Sequence, residues 1–196
     1  MFGASGGGGN SGCIGCVCVD GQKGSGITSP ATGSVNPSAA YPPSGDNFDI
    51  DYVVHEIGHQ LGANHTFTHS YEGTGVQMEV GSGITIMGYA GITGNDFIDH
   101  SIAAYHAVSI TQIQTNLAAK TCPVTTSLAG INATPVVAPV SNYTIPINTP
   151  FQLTGSATDA NTGDVLTYSW EQNDDGSTQI NAASNASPTK LVGPNF

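Results

Sequence analysis

One stretch constrains this chain more than all the rest of it. His55-Glu56-Ile57-Gly58-His59-Gln60-Leu61-Gly62-Ala63-Asn64-His65 spells H-E-x-x-H-x-x-G-x-x-H. On a helix, residues four apart leave the same face about one turn apart, so His55 and His59 project side by side. Two imidazoles at that spacing reach a single Zn²⁺ at roughly 2.0–2.1 Å. Glu56 follows the first ligand and can lean over the metal without joining it, the place for a base that takes a proton from water. Gly62 can adopt positive φ, which ends the helix and lets His65 return as third ligand. Three histidines leave a fourth position open, the mark of a catalytic rather than a closed structural site. The competing account is three histidines sitting in a core or on a surface by chance, which four fixed residues plus a glycine make rare.

Downstream, Thr85-Ile86-Met87-Gly88-Tyr89 places a methionine in a glycine-flanked turn. A lone methionine is usually core filler. Together the two motifs resemble the metzincin zinc endopeptidases. That resemblance implies zinc held by His55, His59 and His65, Glu56 as general base, and Met87 in the turn beneath the metal. Within the class the chain looks most like bacterial reprolysin-like proteins, with pappalysin-like ones second. Threonine-phenylalanine after the third ligand (Thr66, Phe67) fits both. Tyr89 departs from typical reprolysins, which carry proline there; astacin-like and serralysin-like metzincins have a tyrosine at that spacing that steadies the oxyanion. Tyr89 is therefore either a catalytic electrophile or a phenol packed in the pocket wall.

Charge and composition narrow the setting. The 196 residues contain three Lys+Arg, none of them arginine, against 14 Asp+Glu, a formal net charge of −11. Such a surface repels phosphate backbones and anionic lipid, which excludes nucleic-acid and membrane-surface roles. Charged residues make up only 9% and there are 26 glycines, a composition that suits a secreted, extracellular or cell-surface, loop-rich protein. No run of apolar residues is long enough to span a bilayer. The N-terminus has no basic and apolar leader pattern, so a signal is expected upstream of this piece.

Taken in order, the first twelve residues are glycine- and serine-rich lead-in. Cys13-Ile14-Gly15-Cys16-Val17-Cys18 follows, with Cys122 far downstream. These cysteines are either soft-metal ligands or disulfides, the latter favoured in a secreted chain. By the resemblance, this segment leads into the edge strand lining the substrate cleft, with Ile27 and Thr28 on or beside it. An open edge can bind an extended peptide by strand addition. The resemblance also favours a Cys18–Cys122 bridge, leaving Cys13 and Cys16 as its competitors or as a local pair. A surface loop runs to Gly45. Asp46, Asn47 or Asp49 is expected to cap the active helix. Its apolar stripe is Ile50, Val53, Val54, Ile57 and Leu61, roughly opposite the ligands. His69 reads as a solvated loop residue or as a partner of a ligand. Asp99 or Ser101 is expected to cap a second helix with apolar positions Ile102, His106, Ile110, Ile113 and Leu117. His100 and His106 read as surface and packing residues.

The fold expected is α+β: a partial metzincin-type catalytic module over residues 1–122, a linker over 123–140, and a partial all-β sandwich-like segment over 141–196. Tyr143–Ile147, Phe151–Gly155 and Leu166–Trp170 alternate like strands, and the segment resembles immunoglobulin-like, cadherin-like or PKD-type repeats. Asp159, Asn161 and Asp164 either form plain turns or hold Ca²⁺. About 55 residues fall short of the roughly 100 such a sandwich uses. Only 54 residues precede His55, fewer than a metzincin places before its active helix. The segment is therefore expected to be an internal piece of a longer secreted precursor, poorly active alone and prone to self-association through uncovered sheet edges. The function expected is a secreted zinc-dependent endopeptidase acting on protein or peptide substrates. The alternative is a non-catalytic adhesion or scaffold protein on a metzincin remnant with structural zinc, against which Glu56 argues, since a structural site needs no base.

Overall fold

Gly8–Asn10 (β1) runs antiparallel to Ile27–Ser29 (β2), with Gly9 opposite Thr28, so Ile27 and Thr28 lie in this short ribbon. The computed structural model describes residues 8–29, 48–128 and 130–176. Asp46 and Asn47 lie outside them. The described residues up to Pro123, with those from Glu171 onward, form one compact unit; Val124–Trp170 form another.

The active helix is not uniform. Asp49–Val54 forms a π-helical turn, and the α-helix proper (α1) spans His55–Leu61. Phe48 precedes the turn without a side-chain cap, and Asp49 is its first residue rather than a capping one. A π turn carries extra residue per turn, so it shifts the phase between the two halves. Ile50 and Val54 pack against the buried cluster Ala63, Ile86 and Met87, as do Tyr105 and Ile113. Ile57 is 48% exposed, whereas His55, Gly58 and His59 are the buried residues of α1. The expected stripe thus holds at Ile50 and Val54 and fails at Ile57, since the face of α1 that carries His55 and His59 is the one turned inward. Gly62 closes α1 in the left-handed region at φ 119°, as its position in the motif requires.

The second helix (α2) spans Ala107–Ala118 and begins later than its apolar spacing implies. Ile102 N–H donates to Ile84 O and Ile86 N–H to Ala104 O. With Ala104 N–H turned back onto Ile102 O at 2.7 Å, that pairing holds residues 102–104 in a tight turn beside the methionine turn rather than in a helix. His106 is the N-cap, accepting from Val108 N–H at 3.1 Å, in place of Asp99 or Ser101. Ser101 N–H instead donates to Asp51 at 2.8 Å. After the second unit the chain returns to the first. The Glu171 carboxylate accepts from Ala107 N–H at 2.7 Å, and Gly176 N–H donates to Gln77 O at 2.8 Å.

Two disulfides tie the first unit: Cys13–Cys16, a local pair, and Cys18–Cys122, which joins the N-terminal segment to the residues just beyond α2. Among the described residues of the second unit, ladder pairing is limited to Val136–Val137 (β3) against Ala157–Thr158 (β4). The alternating runs around Tyr143, Phe151 and Tyr168 are not paired there. Alternation marks faces, but a strand also needs a neighbour for its N–H and C=O groups. Asp159 accepts from Asn161 N–H, and the Asn161 amide ties Ile131 O and Ala133 N–H.

Candidate metal centre

The three motif histidines come together. Their candidate ligand atoms all lie within 4.8 Å of one another. His59 Nε2 and His65 Nε2 are 3.0 Å apart. Nitrogens on a tetrahedron of roughly 2.0–2.1 Å radius stand about 3.3 Å apart, close to the separation of this His59–His65 pair.

Each ring is also held from behind. His55 Nδ1–H donates to Ile86 O at 2.6 Å, and His59 Nδ1–H to Ala63 O at 2.7 Å. His65 Nδ1 meets both oxygens of Glu72, at 2.9 and 3.0 Å. Carbonyls can only accept, so His55 and His59 carry their proton on Nδ1 and present a bare Nε2, the arrangement a metal ligand needs. Burial, and then the neighbouring His59 ring, push His55 down to about 3. Burial pushes His59 down to about 4, against the opposing hydrogen bond to Ala63. Both are neutral near pH 7 and able to bind a cation.

Met87 is fully buried, and a side chain at Gly58 would collide with its sulfur and with Tyr105. The second x of H-E-x-x-H is thus a glycine because the methionine turn sits directly against that turn of α1. Tyr89 is half-buried, its ring 4.5 Å from that of His65 and 5.6 Å from that of His55. Burial raises its phenol, and the Glu72 and Glu56 carboxylates add to this.

Glu56 faces the N-terminal segment. A Cβ on Gly9 would overlap its carboxylate, and Ser11 N–H is hydrogen-bonded to it. Burial raises the Glu56 carboxyl, opposed by His65 and by the Ser11 bond. The same segment caps the end of α1: Gly15 N–H donates to His59 O at 2.8 Å and Val17 N–H to Gln60 O at 3.1 Å.

His69 packs at a tilt against Phe67, ring centroids 4.2 Å apart and planes 43° apart. Its Nδ1 is buried and, among the described residues, meets no hydrogen-bond partner. His100 is exposed and His106 caps α2; neither joins the cluster. Glu72, Gly58 and Gly9 are the contributors that motif reading passes over. Glu72 alone had a local signal, an acidic residue shortly after the third histidine.

A family model described as metallo-peptidase family M12B, reprolysin-like, matches residues 1–117. No curated protein and no solved structure matches the chain.

Proposed function

The chain belongs to the reprolysin-like M12B metallopeptidases, and from that premise we propose that it is a secreted zinc-dependent endopeptidase with Glu56 as its general base. The observation that carries the reading is the inward convergence of three imidazoles, each held by its Nδ1. His55, His59 and His65 would hold the ion. Zinc bound there supplies Lewis acidity and lowers the pKa of a coordinated water to roughly 7.

The chain's own groups do the rest. Glu56 takes the proton of the attacking water and passes it to the leaving amine nitrogen. Its raised carboxyl makes it a stronger base than an exposed glutamate. Tyr89, beside two ligands, would donate to the oxyanion. An extended peptide would lie along the β1–β2 ribbon, which adjoins Glu56 through Gly9. Two disulfides support an oxidising, extracellular setting. No helix among the described residues is long and apolar enough to cross a membrane.

The test is Glu56→Gln in the full chain, with zinc measured by elemental analysis and turnover on casein or a peptide library with and without chelator. One zinc per chain is expected in both proteins, with turnover lost by about 10²–10⁴-fold in the variant. Full activity in Glu56→Gln, or an unaltered chain without zinc, would overturn the proposal. A zinc-loaded unaltered chain without chelator-sensitive cleavage would favour the scaffold alternative.

A further inference from the structure

Glu79 is a carboxylate buried to 7% exposure in the loop between the third histidine and the methionine turn. No cation pairs with it among the described residues. Instead it collects four donors from two separate segments. Oε1 accepts from Ile84 N–H at 2.9 Å and Thr85 N–H at 3.0 Å. Oε2 accepts from the Thr85 hydroxyl at 2.6 Å and, closer still, from the Thr66 hydroxyl. All four carboxylate lone-pair sites are thereby used, which is how a buried anion is held without a counter-charge.

What those segments carry gives the arrangement its significance. Thr66 directly follows His65. Its N–H donates to Met87 O at 3.1 Å and its carbonyl accepts from Glu79 N–H at 2.8 Å. Thr85 directly precedes Ile86, whose carbonyl receives the Nδ1–H of His55 at 2.6 Å. One carboxylate therefore fixes the spacing between the backbone that carries His65 and the backbone that orients His55. Thr66 and Thr85 are both buried, at 0% and 3% exposure, so no water competes for these bonds.

We infer that Glu79 is a positioning residue of the metal centre, setting through Thr66 and Thr85 the separation of the first and third histidines and hence the affinity and geometry of the bound ion. This rests on the zinc reading above. Glutamine at 79 keeps the shape but replaces one acceptor oxygen with a donor, so the threonine hydroxyls must turn and the two segments lose a shared anchor. Such outer partners are worth 10–100-fold in metal affinity.

The experiment uses the full chain, stripped of metal, and titrates Zn²⁺ against a chromophoric chelator. The visible spectrum of the Co²⁺-substituted protein reads ligand geometry independently of activity. Glu79→Gln should weaken zinc about 10–100-fold and shift the cobalt bands. Thr66→Val, which removes one donor and keeps side-chain volume, should weaken it in the same direction by less. A role in folding alone would lower the thermal midpoint of the metal-free proteins and leave zinc affinity and cobalt bands unchanged. Zinc affinity equal to that of the unaltered chain in Thr66→Val overturns the inference even where Glu79→Gln does not fold. If the unaltered chain takes up no zinc, the metal reading falls and this one with it.

Discussion

Gly9 lacks a side chain, and Glu56 occupies the volume one would need. Alanine there must push the carboxylate away from the position that Ser11 N–H helps to set. A displacement of about 1 Å at a reacting group can cost about 10²-fold. Gly9→Ala is therefore expected to lower kcat/KM by about 10²-fold while zinc content stays at one per chain; unchanged turnover would show that the contact does not position the base. Tyr89 is a different case, because its ring stands beside those of His55 and His65, while the role proposed for its hydroxyl would be played only during reaction. Tyr89→Phe is expected to lower kcat by about 10²-fold with KM little changed. Equal kinetics for the two proteins would assign the tyrosine to packing. Neither glycine nor phenol could be ranked from the sequence, since each matters through a neighbour distant in the chain. Gly9 lies 47 positions from Glu56.

At the level of elements, α1 is only His55–Leu61, yet it carries His55, Glu56 and His59, to which the proposed function gives two ligand roles and the base. What ends it matters as much as what fills it. Gly62 takes φ 119° and ψ 2°, and a Cβ there would also meet Asn116 Cβ at 2.8 Å. Asn116 in turn donates to Leu61 O at 2.7 Å, so α2 caps the end of α1. Gly62→Ala should destabilise the metal-free protein by about 1–3 kcal/mol, read as a lower denaturant midpoint at constant slope. The turn at Gly62 was legible because it lies inside a motif of fixed spacing. The start of α2 was not, because the apolar period at Ile102 and His106 runs on through a segment whose backbone bonds go to Ile84 and Ile86 instead. Likewise, the stripe from Ile50 to Leu61 assumed a single helical period, and the π turn broke it between Val54 and His55. Local pattern reports periodicity; it carries no information about where a distant segment takes over the backbone.

For the whole molecule, the Cys18–Cys122 bridge spans a sequence separation of 104 and encloses every metal-site residue named above except those of the N-terminal segment before Cys18. Cross-links closing loops of about 100 residues restrict the unfolded chain by up to about 4.7 kcal/mol, and removing native ones typically costs 2–5. Replacing both cysteines by serine is expected to lower stability by about 2–5 kcal/mol without altering the metal stoichiometry of the folded fraction. Differential scanning calorimetry at matched metal loading checks this, and an unshifted midpoint would remove the bridge from the stabilising terms. The bridge also makes the site part of a covalent ring. A peptidase is exposed to its own product-forming reaction, and the exposed loop around Tyr71, Glu72 and Gly73 lies within that ring. One internal cut there opens the ring into a line but parts no fragments, so a nicked molecule would travel as one species until reduced and as two thereafter.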